Sequence, residues 1–153
     1  MLLTFKNMSN DDMYRMIHSV YSEASYEVAK KERKTISEAE QYYVERFLEK
    51  FKGRNEITYY VLKMNEEWVS ALRLIKNEDF YFIEALETAP EQRRKGYASK
   101  LIKMLLQELE DEHVVIRSNV RKTNIASLVT HQKCGFVIEE ETEDCFYRML
   151  YQK

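Results

Sequence analysis

Leu86-Glu87-Thr88-Ala89-Pro90-Glu91-Gln92-Arg93-Arg94-Lys95-Gly96-Tyr97-Ala98-Ser99 is the stretch on which the fold of this chain turns. It joins an apolar run to an amphipathic one. Phe80–Thr88 is apolar on both faces, as in a central strand. From Gly96 to Glu110, the residues Tyr97, Ala98, Leu101, Ile102, Leu105, Leu106 and Leu109 make one stripe, with Lys100, Lys103, Gln107 and Glu110 outside it, which predicts a helix. The first N–H groups of a helix have no intrahelical partner and lie at the positive end of its dipole. A loop feeding such an end suits an anion, and a pyrophosphate in particular. Gly96 lets the backbone approach closely, and Arg93, Arg94 and Lys95 add positive charge. The plainer reading is a solvated basic loop with Gly96 as a turn residue. The strand before it and the helix after it favour the anion site.

The rest of the chain supplies a sheet around this junction. Leu2, Leu3, Thr4 and Phe5 read as a short first strand. Ser9 and Asp12 have capping-box spacing, and Met13, Met16, Ile17, Val20, Tyr21 and Ala24 follow at helical spacing. Lys30–Lys34 is a solvated helix end or loop. Ser37 and Glu40 open a second helix through Tyr43, Val44, Phe47, Leu48 and Phe51, closed by Gly53. Ile57–Met64, Trp68–Ile75 and Phe80–Thr88 are three antiparallel strands separated by polar turns. His113–Asn119 is a buried strand, Asn124–Cys134 a helix ending at Gly135, and Phe136–Glu141 and Cys145–Tyr151 two final strands. This predicts one α+β domain over residues 1–153, a mixed sheet of about seven strands with about four helices.

Composition narrows the function classes. The 153 residues carry 24 Lys+Arg against 26 Asp+Glu, a balance that argues against binding nucleic acid by bulk charge. No apolar run nears the ~20 residues of a spanning helix, so no membrane segment is expected. Cys134 and Cys145 are the only cysteines and no signal segment precedes them, which fits a reduced, cytoplasmic protein. With three histidines and no paired ligand spacing, no metal site is expected.

Arg93-Arg94-Lys95-Gly96-Tyr97-Ala98 resembles the Arg/Gln-x-x-Gly-x-Gly/Ala signature of the GCN5-related N-acetyltransferases (GNAT). The lead-in Leu86-Glu87-Thr88 with Pro90 is similar too, and Val120, Asn124, Ser127, Lys133, Gly135 and Phe136 resemble the family's Val…Asn-x-x-Ser…Lys-x-Gly-Phe region. The resemblance covers residues 80–137 by motif and the earlier residues by element order. It implies acetyl transfer from acetyl-CoA, as co-substrate, to a primary amine by direct attack in a ternary complex. It implies that Leu86 to Thr88 pair with the pantetheine arm as a strand would, that the amides of Arg93, Arg94, Lys95, Gly96, Tyr97, Ala98 and Ser99 hold the pyrophosphate, and that Asn124 lies near the pantetheine. It also implies a gap between the fourth and fifth strands that admits the arm.

Two residues are candidates for proton transfer. Glu84 is the only charge within Phe80–Leu86, and strand alternation puts it on the face of Phe82 and Leu86. A carboxylate in apolar surroundings can serve as general base; the alternative is a Glu84 paired with Arg73 or Arg117. His131 stands where the family pattern commonly has a tyrosine that protonates the departing thiolate. An imidazolium could do that work; the alternative is a histidine that packs or caps. Cys134 has no evident activating base and is not read as a nucleophile. The acceptor, a small-molecule or peptide amine, has no motif. A homodimer formed through the strand Cys145–Tyr151 stays open. The second functional reading is a CoA-binding sensor or interaction module without turnover.

Overall fold

Alternation along the strands sorts side chains to two faces, and helices cover both. In Ile57–Met64, Tyr60 and Leu62 enter one core cluster, while Ile57, Tyr59 and Val61 enter the other. The computed structural model describes residues 1–51, 53–110 and 113–153. Its elements run β1 (Leu2–Phe5), α1 (Asn10–Ser19), α2 (Ser22–Glu32), α3 (Ile36–Phe51), β2 (Ile57–Met64), β3 (Glu67–Lys76), β4 (Tyr81–Thr88), a 3₁₀ turn (Pro90–Gln92), α4 (Tyr97–Glu108), β5 (Val115–Arg121), α5 (Ile125–Lys133), β6 (Val137–Glu141) and β7 (Phe146–Gln152). The seven strands form one sheet in the order β1-β2-β3-β4-β5-β7-β6. β4 and β5 pair in parallel and every other neighbouring pair is antiparallel.

One face carries α1, α2 and α3. Met13, Met16, Ile17 and Val20 of the first helical turns pack with Val44, Phe51 and Trp68. The other carries α4 and α5, where Leu101, Ile102 and Leu105 are fully buried against Leu72, Ile83 and Ile116. The expected α+β sheet of seven strands is present, with five helices rather than four. The apolar spacing from Met13 to Ala24 reads as one helix, but the chain turns at Tyr21, whose N–H reaches back five residues to the Met16 carbonyl. The spacing does not carry across that break as one buried face, since Ala24 beyond it is exposed.

The end of the sheet also differs from expectation. β7 lies between β5 and β6, so the strand read at Cys145–Tyr151 is internal and offers no edge to a second copy. β6 is the edge, and all five of its residues are exposed. Three successive carboxylates tie it inward: Glu139 to Arg117 at 3.0 Å, Glu140 to Arg148 at 2.5 Å and Glu141 to Lys122 at 2.6 Å.

Ile102, wholly buried beneath the sheet, tests the α4 face. Ile102→Ala is expected to cost roughly 2–5 kcal/mol, which lowers Tm by roughly 4–20 °C in a domain of this size. The neighbouring solvent-facing Lys103→Ala should move Tm far less, and calorimetry of the two variants checks the difference.

Candidate functional site

β4 cannot follow either neighbour to its end. It pairs with β5 only through Tyr81↔Ile116, Phe82↔Arg117 and Ile83↔Ser118, after which the two strands part. On its other side the register with β3 slips: Arg73 faces Glu84 but Ala71 faces Glu87, so three steps on β4 match two on β3. That is a β-bulge. Ala85 sits in it with φ 50, a left-handed conformation disfavoured for a residue with a Cβ. Two hydroxyls secure it. Tyr21, at the α1–α2 turn, donates to the Ala85 carbonyl at 2.5 Å, and buried Ser70 donates to the Glu87 carbonyl at 2.7 Å. Burial pushes the Tyr21 phenol pKa well above its ordinary value, which keeps the donor proton in place.

The bulge corrects the reading of faces. Simple alternation places Glu84 with Leu86. With the extra residue, Leu86 packs on the α4 side, while Glu84 stays on the α1–α3 side, and Glu87 shares that side through its pairing opposite Ala71. Glu84 meets Arg73, the partner named in its alternative reading. Both hydrogen bonds from Arg73 go to Oε2, so Oε1 takes neither. The guanidinium itself is only 8% exposed and lies 4.0 Å over the Phe51 ring, which holds the pair rigidly beside the bulge.

After Thr88 the chain passes through the 3₁₀ turn into α4. Arg94 has φ 64 and Gly96 has φ 76. A Cβ at Gly96 would meet nothing within 4 Å, so its backbone angle, and not crowding, demands glycine there. α4 has no acidic residue in its first turn and no side-chain cap. Its start lies at a cavity of about 750 Å³. Leu86, Thr88, Arg93, Arg94, Gly96, Tyr97, Ala98, Ser99 and Asn124 all line it. Lys95 does not; it donates to Gln92 at 2.8 Å. Asn124 caps α5 through Ser127 N–H at 3.1 Å, which fixes it at the rim. Burial pushes the Cys134 thiol up, away from thiolate chemistry.

His131 lies elsewhere. It is 1% exposed, stacks edge-on to Phe136 and does not line the cavity. Its Nδ1 is 2.8 Å from the Ser127 carbonyl, which can only accept, so that nitrogen carries the proton. In the neutral ring Nε2 then accepts from the Ser118 hydroxyl at 3.0 Å. Burial holds the pKa of His131 below its ordinary value. The expected proton donor is thus a neutral ring whose one N–H is already used. It sits behind Ser118, at the last pair before β4 and β5 part.

Among the lining residues that escaped the sequence reading, the two acidic ones are Glu23 of α2 and, as a side chain, Glu87. Arg93 joins them, donating to Glu23 at 2.5 Å and lying 3.5 Å from Glu87. Burial pushes the Glu87 carboxyl up although Arg93 pulls the other way, and the side chain is still 47% exposed. Nothing local marks Glu23, because only the packing of α2 brings it 70 residues across the chain to Arg93.

Residues 14–136 match the sequence model of the acetyltransferase (GNAT) family. No curated protein sequence matches the chain. Among solved structures, PaiA N-acetyltransferase from Thermoplasma acidophilum, in complex with coenzyme A, is similar over 100% of this chain and 99% of its own, at 15% identity and a TM-score of 0.69. N-acetyltransferase PseH from Campylobacter jejuni is similar over 100% and 97%, at 17% identity and a TM-score of 0.67. Aminoglycoside acetyltransferase AAC(6')-Ib, in complex with coenzyme A and kanamycin, is similar over 100% and 95%, at 18% identity and a TM-score of 0.67. At these identities the likeness is one of fold.

The buried His131 has a signature in stability. Its folded pKa is depressed, so the unfolded chain binds the proton more readily. Its contribution is present above the unfolded value of about 6.5 and is lost as pH falls below it toward the folded pKa. Wild-type Tm should decline across that window, and His131→Phe should flatten the decline. Parallel melts from pH 7 to pH 5 check it.

Proposed function

The chain belongs to the acetyltransferase (GNAT) family, and from that premise we propose that it moves an acetyl group from acetyl-CoA to a primary amine by direct attack in a ternary complex. The observation that carries the reading is one cavity that joins two features: the open edge of β4 beyond Ile83, and the left-handed loop that presents the α4 N-terminus. The first suits an extended arm with amide groups, since a strand edge offers unpaired N–H and C=O. The second suits a pyrophosphate. Arg94 and Lys133 line the same cavity and add charge.

Acetyl-CoA, when bound, supplies the thioester carbon that the amine attacks. The residues of this chain prepare the amine. A protonated amine has no lone pair to offer, so a base must take its proton first. We assign that role to Glu84 through Oε1, with Arg73 orienting the carboxylate through Oε2. Glu84 lies on the α1–α3 side of the bulge and the loop opens on the α4 side, so donor and acceptor would meet through the gap between β4 and β5. His131 takes a positioning role at the fork, holding Ser118 where the strands diverge. The acceptor is a small-molecule or peptide amine.

Two measurements test this. Glu84→Gln should lower kcat at neutral pH by roughly 10²–10⁴-fold and leave CoA binding nearly unchanged. Part of the rate should return as pH rises and the amine loses its proton unaided; a wild-type kcat across the pH range would remove the assignment. Saturating CoA at ~100 times its Kd adds about 2.7 kcal/mol to the folded state, a Tm rise of roughly 5–10 °C. Gly96→Val should abolish most of that rise, because a β-branched residue is strained at its backbone angle. A folded wild type with no CoA-dependent shift overturns the cofactor reading.

A further inference from the structure

Arg93 belongs to the loop assigned above to the pyrophosphate, yet its guanidinium is committed elsewhere. Nη2 bonds Glu23 at 2.5 Å and lies 3.5 Å from Glu87, and Nε donates to the Thr88 carbonyl at 3.3 Å. Glu23 and Glu87 both line the cavity that would take the cofactor. Two carboxylates there oppose a ligand that is itself a polyanion, unless a cation stands between. One guanidinium serves both. A pyrophosphate arriving at the same loop competes with them for it, and Arg is well shaped to bind either, by paired N–H donors.

We infer that Arg93 is shared in turn between the two substrates: Glu23 and Glu87 hold it until a pyrophosphate draws it across, and cofactor loading thereby frees two carboxylates to receive a cationic amine. The inference rests on the cofactor reading proposed above. Glu87 lies on the face of Glu84, one bulge away along the same strand, so the freed charge is on the acceptor side. Glu23 rides on α2, two residues after Tyr21, whose hydroxyl is bonded to the bulge. The arrangement links the two ligands. A cation that takes over Glu23 and Glu87 releases Arg93 to the cofactor, and by reciprocity the cofactor favours the cation to the same degree. Glu23 is then a coupling residue, and its effect appears equally in the affinity for either ligand.

All three side chains are more than two-fifths exposed, so the effect is modest. Exposed pairs of this kind correspond to about 1.5- to 5-fold in an equilibrium constant. The test is calorimetric titration of CoA and of pantetheine, which lacks the pyrophosphate, into wild type, Glu23→Gln, Arg93→Gln and the double variant. Glu23→Gln should tighten CoA about 1.5- to 5-fold and leave pantetheine unchanged. In the Arg93→Gln background the same substitution should do nothing, since its route is gone. Unchanged or weaker CoA binding in Glu23→Gln overturns the inference. So does tightening that persists without Arg93, which would mark plain charge repulsion. Millimolar putrescine, at ionic strength matched with NaCl, should tighten CoA binding to the wild type and not to a Glu23→Gln, Glu87→Gln variant; no response in the wild type overturns the acceptor half. A wild type that binds no CoA at all removes the cofactor reading together with everything built on it, a distinct result.

Discussion

The architecture depends on one strand that stops pairing in the middle of a sheet. β4 must stay bonded to β3 along its length yet leave β5 after Ile83. Sheets resist this, because unpaired backbone groups inside a fold are costly unless something satisfies them. The chain meets the difficulty with an extra residue. The bulge at Ala85 turns the strand, and a left-handed non-glycine residue there is a strain of order 1–3 kcal/mol. Tyr21 fixes the carbonyl of Ala85 itself and Ser70 that of Glu87. The break between α1 and α2 has its reason here too. A helix continuing through Tyr21 would carry that phenol past the bulge; the turn delivers it.

Seen from this strand, the two faces have separate duties. On the α4 side, a packed aliphatic floor of Leu101, Ile102, Leu105 and Ile116 supports the loop that presents the helix end. On the α1–α3 side, the aromatic rings of Phe47, Phe51 and Tyr59 surround Arg73, which in turn holds Glu84. A cation over several rings gains from their negative faces. The gap between β4 and β5 lies between the two sides, and the His131–Ser118 contact stands at its closed end.

How much of this was legible in the residues follows from how local each cause is. Gly96 and the stripe from Tyr97 to Leu109 act within a few residues of themselves, so strand, loop and helix could be read directly, and Asn124 as a helix start likewise. The bulge could not. Ala85 carries no mark of positive φ, and its conformation is imposed by β3 and Tyr21, far away in the chain. Missing it inverted the relation of Glu84 to Leu86. The α1–α2 turn has neither glycine nor proline, and the apolar spacing runs on through it. His131 has the spacing of a site residue, but the depth of its ring is set by β5 and Phe136. Glu23 depends wholly on where α2 lands.

The ladder of Glu139, Glu140 and Glu141 along β6 gives the sheet a rim held by charge instead of by burial. All five β6 residues are exposed, so the strand keeps its place through backbone bonds and through Arg117, Arg148 and Lys122. Arg117 holds the Glu139 carboxyl below the usual carboxylate range. The outermost strand also turns Val137 and Ile138 toward water and stands at the end of the sheet. A bare flank of that sort templates another chain. The charged row along β6 opposes such pairing, because a second chain brought to that edge would meet charge and not a bare apolar face.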